Sequence, residues 1–415
     1  MNIKRILSIV LACALCLTLC TACSKEEERQ RIEYAYGLED SPFDLTEALT
    51  TDSLKDLCAD YFMLGVGLTG NATGTAAVNS LEYMTVSKYH FNSVTLTNLM
   101  KPCFILDQGG CVKNAEKGKE TETAVKFDSV DGTLQWCLDN GVKMRGHTLV
   151  WHAQTPDWFF RVGYDSANDY VDYETMEARL ADYIEKVLTY VQEKYPGVIY
   201  AWDVVNEAVD PGSAAPGSFF ACRTWSGDGA NGWYKTLKQD YVELAFKYAR
   251  QYADPDVKLF YNDFNTFQGG KHENIINLCK HLNELGYIDG IGMQGYWGID
   301  WPNVRDVENA IKNFAELGLE LHVTELSIGV DNLSDKNLKI QADKYEEYFK
   351  MFQRLDTAGG GPANITSVTL FGLQDGFVMY GNDDSTTRLF DKNFKPKPCF
   401  YSIQEVMEDL YYVVK

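Results

Sequence analysis

Positive charge is in short supply in this sequence: 38 lysines and arginines stand against 59 aspartates and glutamates over 415 residues, a formal net charge of −21. That balance argues against nucleic acid, whose phosphates call for a basic surface, and against docking on anionic lipid, while a neutral polymer remains compatible. Long apolar runs are also lacking; the one at the N-terminus, Ile6 to Cys20, is too short for a comfortable membrane span. Four of the eleven cysteines (Cys13, Cys16, Cys20, Cys23) fall in that leader, and none of the other seven has C-x-x-C spacing, so no zinc framework is expected. An odd number leaves at least one free thiol unless chains pair. Cys103 and Cys111 flank Gly109-Gly110 and are placed to bridge; the rest read as small buried apolar residues. No internal repeat is evident.

What is present is a large apolar complement, 45% hydrophobic and 13% aromatic, enough for one extensive core. Eight β-rich runs recur: Phe62–Leu68, Phe91–Leu96, Val142–Trp151, Val198–Val205, Lys258–Tyr261, Gly290–Gln294, Leu319–Thr324 and Ser367–Leu373. Between them lie amphipathic stretches with helical spacing, among them Tyr173–Glu193, Tyr241–Tyr252, Glu273–Leu285, Val304–Leu317 and Asn337–Arg354. Strand and helix alternating eight times predict an α/β protein, a (β/α)₈ TIM barrel, as a single catalytic domain over residues 51–415. Residues 23–50, acidic and without apolar periodicity, read as a tether.

Two of the apolar runs end in a glutamate: Ala201-Trp-Asp-Val-Val-Asn-Glu207 and His322-Val-Thr-Glu325. In a barrel these would stand at the carboxyl ends of the fourth and seventh strands, the face where chemistry collects. Two carboxyl groups so placed suit cleavage of a glycosidic bond. One, protonated, supplies the leaving oxygen with a proton, and the other, ionised, meets the developing oxocarbenium carbon from the opposite side. Either glutamate alone reads equally well as a buried salt-bridge partner. His147 and His152 invite a metal, but odd spacing in a strand directs them to opposite faces, and no metal site is expected. Trp158 reads as core or as site, and Asp263 and Asn265 as possible caps of the following helix. The long segments Lys101–Lys126 and Val209–Lys235 either shape the site or decorate the surface.

Five motifs in order, Gly146-His-Thr-Leu-Val-Trp-His152-Ala-Gln154-Thr-Pro156-Asp-Trp158, Trp202 to Glu207, Tyr261-Asn-Asp263-Phe-Asn265, Gly292-Met-Gln294 and Thr324-Glu325-Leu326, resemble those of glycoside hydrolase family 10. That family consists mainly of retaining endo-β-1,4-xylanases on (β/α)₈ barrels. The resemblance implies that Glu207 is the general acid/base, Glu325 the nucleophile and Asn206 the partner of the sugar 2-hydroxyl. It further implies that Asn98 and Lys101 hold glycone hydroxyls, that His147, Trp151 and Gln154 line the cleavage subsite, and that Gln294 lies near the nucleophile. Indole suits the apolar face of a sugar ring, and amide or ammonium groups suit its hydroxyl edge. The chain departs from the pattern at Thr97 (usually glutamate), Tyr296 (usually histidine), Phe371 and Met379 (usually tryptophan) and Ser327 (usually aspartate). Thr97 removes a charged acceptor worth about 1.5–3 kcal/mol per bond, so the glycone subsite is expected to bind xylose differently. Tyr296 can still donate a hydrogen bond to Glu325, and Phe371 and Met379 leave room for a substituted sugar.

The leader, with Lys4 and Arg5, an apolar stretch and Thr21-Ala22 before Cys23, resembles a bacterial lipoprotein signal over residues 1–22, although Cys20 stands where leucine is usual. The resemblance implies export and a lipid anchor on Cys23, the chain's only expected contact with membrane. The acidic run after Cys23 reads either as a surface-export signal or as a solvated spacer. The reading of the whole is a monomeric, surface-anchored xylanase acting on plain or decorated xylan, without a cofactor, since protonation and carboxylate attack need none. Two alternatives stay open: a β-glycosidase of the same fold with shifted specificity, and a lipoprotein that captures xylan without cleaving it.

Overall fold

The computed structural model describes residues 25–70, 77–227, 229–376 and 386–411. Eight strands form the frame: β1 (Met63–Leu68), β2 (Ser93–Leu96), β3 (Lys143–Trp151), β4 (Ile199–Asn206), β5 (Lys258–Asp263), β6 (Gly290–Met293), β7 (Glu320–Gly329) and β8 (Asn364–Leu370). Each pairs in parallel with its successor, and β8 pairs with β1, Gly65 opposite Thr369, which closes the sheet. A helix follows every strand: α1 (Leu81–His90), α2 (Asp131–Asn140), α3 (Tyr173–Lys194), α4 (Asp240–Tyr252), α5 (Lys271–Glu284), α6 (Val304–Ala315), α7 (Asp335–Leu355) and α8 (Pro398–Tyr411). This is the expected (β/α)₈ barrel, and all eight expected strands are present.

Local chemistry accounts for the helices. Asp172 starts α3 by accepting the Thr175 N–H at 2.8 Å, and Asn303 starts α6 by accepting that of Arg305 at 2.9 Å. The inner stripe of α3, Met176, Leu180, Ile184, Val187, Leu188 and Val191, is buried against the barrel. Helix α1 ends on His90, fully buried, whose Nδ1 accepts the Leu54 N–H at 3.4 Å; Nε2 then carries the hydrogen that goes to the Ala48 carbonyl at 2.6 Å.

That contact belongs to the segment read as a tether or linker, residues 23–50. Residues 25–36 are helical, and Leu38, Leu45, Ala48 and Leu49 are buried in the core. Four apolar side chains scattered among polar ones give no periodic signal, yet together with His90 they dock the segment on the barrel. The Cys103–Cys111 bridge that the spacing allowed is not formed: both are free, Cys103 exposed and Cys111 buried. The intervening glycines are not a turn but the first residues of a helix over Gln108–Glu116, which carries the two thiols apart. The signal segment 1–22, Cys23 and Met379 lie outside the described residues. Among the described residues no helix is long and apolar enough to cross a membrane.

The barrel interior is polar at its centre. Even spacing puts Arg145 and His147 on the inner face of β3, and both reach Asp203 of β4. Arg145 binds it through two nitrogens, at 2.6 and 3.0 Å, and His147 Nδ1 lies 2.8 Å away. Arg145 Nε also donates to His322 Nδ1 at 3.0 Å. Burial would raise the Asp203 carboxyl, but the Arg145 charge and the bonds from His147 and Arg145 outweigh it and hold the group at about 2. This ionised pair is the floor on which the site above it rests.

Candidate active site

Glu207 and Glu325 stand at the carboxyl face of the barrel, Glu207 just past β4 and Glu325 on β7, three strands on, and side chains from β5 and the end of β6 link them. Glu207 is the residue after β4 and takes a left-handed backbone, φ 59°, a conformation costing about 1–3 kcal/mol in a non-glycine residue. Its N–H donates to the Asn262 carbonyl at 2.9 Å and its carbonyl accepts Arg223 Nε at 2.8 Å, so the surroundings fix the turn. The side chain is thereby aimed inward. Trp151 Nε1 donates to its Oε2 at 3.0 Å and Gln294 Nε2 to its Oε1 at 2.8 Å. With 14% of its side chain accessible, it can exchange a proton with water.

Glu325, 5% exposed, lies within β7. Its Oε1 accepts from Asn262 Nδ2 at 3.0 Å and its Oε2 from the Tyr296 hydroxyl at 2.5 Å. Tyr296 exposes 46% of its surface, yet the hydroxyl is taken up by the carboxylate. Loss of hydration and the Glu325 charge both push its ionisation well above that of a free phenol, so it stays a donor. Phe371 meets the ring edge-on at 5.7 Å and holds it in place.

Amides tie the two carboxylates together. Asn206 Oδ1 accepts from Asn262 Nδ2 at 2.9 Å and from Gln294 Nε2 at 3.3 Å, which leaves its own Nδ2 directed toward Glu207 Oε1 at 3.3 Å. Thr324 donates to Asn262 Oδ1 at 2.7 Å, fixing that amide's orientation. Gly292 of β6 is what makes room for it, since a Cβ there would collide with Asn262 Oδ1.

On the β2 side, Lys101 Nζ donates to Asn98 Oδ1 at 2.9 Å and sits 4.6 Å above the Trp151 ring. Burial lowers the Lys101 ammonium's pKa, against the raising pull of Glu325 and Glu207, so this cation faces both carboxylates. Of the ten predicted active-site residues, eight therefore converge: Asn98, Lys101, Trp151, Asn206, Glu207, Gln294, Tyr296 and Glu325. His147 lies one layer below, on Asp203. Gln154, at φ 50°, is occupied by Cys103: its carbonyl accepts the Cys103 N–H at 2.9 Å, and its Oε1 lies 3.7 Å from the thiol.

The histidines are separated by more than alternation. A register shift interrupts β3 between His147 and Val150, and His152 lies past the strand's end, 4.0 Å from Glu207. Burial takes its pKa down to about 4, so it is neutral beside the carboxyl group at ordinary pH. Among the described residues no group of His, Cys, Asp or Glu converges as a metal site. Asp263 is no mere helix cap. It is fully buried, 2.7 Å from Lys271 Nζ and 2.5 Å from the Tyr261 hydroxyl, and burial raises it to about 6 despite that lysine. Trp158 is half-buried against Phe159 and Tyr164.

Sequence reasoning passed over Asn262, Asp203 and Arg145 as site residues. Signals existed: Asn262 stands one residue before the end of β5, in register with Asn206 at the end of β4, and Asp203 is the one charge inside an apolar strand, an even number of residues before Glu207. Of the departures from the family pattern, Thr97 is buried with its hydroxyl 3.3 Å from the Leu68 carbonyl, and Ser327 accepts from Arg388 Nη1 at 3.3 Å.

Comparison with known proteins identifies the family. The profile described as Glycosyl hydrolase family 10 matches residues 53–406. A Caldicellulosiruptor saccharolyticus protein is 45% identical over 313 residues, covering 73% of this chain and 95% of that protein. The endo-1,4-beta-xylanase A of Thermotoga neapolitana is 38% identical over 361 residues; the match takes in 85% of this chain but 30% of that longer protein. Among solved structures, the CBM22-1 and GH10 modules of a Clostridium thermocellum endo-1,4-beta-D-xylanase, complexed with xylohexaose, superpose with a TM-score of 0.77 at 31% identity, covering 86% of this chain and 67% of that one.

Proposed function

The chain belongs to glycosyl hydrolase family 10, and from that membership we propose that it is a retaining endo-1,4-β-xylanase in which Glu207 is the acid/base and Glu325 the nucleophile. The observation that carries the assignment of roles is the difference in burial. Glu325 is buried and held between the Tyr296 phenol and the Asn262 amide, a fixed group for attack on the anomeric carbon. Glu207, held as firmly by an indole and an amide, is only half-buried, so the water of the second step can reach it.

In the first step Glu207 gives its proton to the leaving sugar oxygen as the glycosidic bond breaks, and a Glu325 oxygen bonds to the anomeric carbon. In the second, Glu207 takes a proton from water, whose oxygen displaces Glu325 and restores the original anomeric configuration. Asn206, its amide oxygen already held by Asn262 and Gln294, presents its N–H to the sugar 2-hydroxyl. Asn98 and Lys101 bind hydroxyls on the glycone side and Trp151 lines the cleavage subsite, while His147 steadies Asp203 from below and Gln154 is held by Cys103. Reducing sugar released from xylan by the native protein, and none by Glu325→Gln, is the expected result; release by both would refute the assignment.

Thr97 and Tyr296 favour a second reading within the same chemistry, a preference for decorated xylan or another β-glycoside. The Thr97 hydroxyl lies on the Leu68 carbonyl and brings no charge to the glycone subsite. Relative rates on arabinoxylan and plain xylan decide between the two.

We also propose, from the leader sequence alone, that the mature chain begins at Cys23, lipid-anchored at the cell surface. Labelling by radioactive palmitate, abolished in Cys23→Ser, is the test.

A further inference from the structure

The rim of the cleft opposite Asn98 and Lys101 carries an aromatic pair that the account so far leaves unused. Trp301 exposes 45% of its surface, with Phe267 edge-on beneath it at 5.0 Å and 63°. A single exposed indole is ordinary in itself, and Trp225 exposes more; what marks Trp301 is its mount and its place. The loop that holds it is firmly built: Trp297 stacks on Tyr348 at 4.3 Å, Pro302 is buried, and the Gly298 N–H donates to the Trp301 carbonyl at 2.7 Å. The ring is thus presented on a fixed mount, so little freedom would be lost when a ligand settles on it.

Its place follows from topology. Asn98 and Lys101 follow β2, and Trp301 follows β6, four strands on in a ring of eight and therefore across the barrel. Phe267 follows β5 next to it. Trp301 is five residues past Tyr296, at most about 17 Å of chain from the residue that bonds Glu325. If Asn98 and Lys101 hold the glycone, the departing sugars must run toward this rim.

We infer that Trp301, backed by Phe267, is a stacking platform for xylosyl units on the leaving-group side, beyond the sugars that flank the cleaved bond. The inference rests on the cleft's being a xylan-cleaving site, and its chemistry is the apolar face of a neutral pyranose against an indole. The flat apolar face of an indole suits the C–H face of an uncharged pyranose.

The test compares Trp301→Ala and Trp301→Phe with the native enzyme on xylohexaose, which reaches the rim, and on an aryl β-xylobioside, whose leaving group is a phenol that does not. Trp301→Ala should lower kcat/KM for xylohexaose by about tenfold, mainly through KM, and leave the aryl substrate unchanged; Trp301→Phe should recover much of the loss. Cleavage of xylohexaose should also shift, with fewer products that place several sugars past the cut. Unchanged kcat/KM and product pattern on xylohexaose, or equal losses on both substrates, would overturn the platform while leaving the xylanase reading intact. A native enzyme inactive on both substrates would overturn both.

Discussion

Asn262 donates to Glu325 Oε1 at 3.0 Å, and the same amide group bonds Asn206, the neighbour of Glu207, at 2.9 Å. One buried side chain thus sets the distance between the two halves of the site. Asn262→Ala should cut kcat by about 10- to 100-fold, since misplaced groups cost on that scale. It should also destabilise the fold by about 1–3 kcal/mol, because Thr324 loses its acceptor. Steady-state kinetics with urea unfolding checks both; full activity would mean that Glu325 needs no such guide.

Tyr296→Phe removes the phenol donor from Glu325 and little volume. The nucleophile then lacks one of the two bonds that orient it, so kcat should fall by about 10- to 100-fold. The native pH profile should not report Tyr296 itself, whose ionisation lies well above the ordinary phenol value because of burial and the Glu325 charge. Native kcat in Tyr296→Phe would contradict the role given to this bond.

Glu207→Ala should lose about 10²–10⁴-fold on xylan, where the leaving alcohol needs a proton. On an aryl xylobioside with an acidic phenol the first step needs no acid, so a rapid burst of phenol equal to the enzyme concentration should precede slow turnover. Equal loss on both substrates would place the general acid elsewhere.

Acid should weaken the fold through its buried histidines. His90 and His152 are depressed to about 4, and His322 well below its ordinary value, in each case chiefly by burial. Their folded pKa values lie under the unfolded value of about 6.5, so the unfolded chain binds more protons below that pH. The associated stability is complete above pH ~6.5 and lost as pH falls toward 4, about 3 kcal/mol for a group such as His90. Asp263, raised to about 6 by burial, works the other way between pH 6 and ~3.9, and Asp375, also raised chiefly by burial, acts in the same sense, two carboxyl groups against three histidines. Urea unfolding at pH 7 and 4.5 should show the loss, and His90→Gln should flatten its pH slope.

Legibility differed between frame and site. The eight strands were readable because apolar runs at regular intervals are what a closed parallel sheet demands. Only β7 ran far beyond its expected end, to Gly329, because Ser327–Gly329 pairs with Tyr296–Gly298 above the ring. The glutamates were readable as a pair of carboxyl groups ending apolar runs, and the family motifs added Asn206, Gln294 and Trp151. The Arg145–Asp203–His322 floor was not: three charged or polar groups from three strands are unrelated in sequence until the barrel closes. The same holds for residues 38–49, whose apolar side chains gain meaning only from the surface of α1 they cover. Sequence spacing likewise placed Cys103 and Cys111 as neighbours, and a helix separated them.

The most direct test of the double displacement is to catch its intermediate. A 2-fluoro xylobioside with a good leaving group slows both steps but the second more, and the intact protein is then weighed and its peptides mapped. The account predicts a mass increase of one fluoro-xylobiosyl group per chain, on Glu325 alone and absent in Glu325→Gln. No adduct from an enzyme that hydrolyses xylan, or an adduct on another residue, would contradict it.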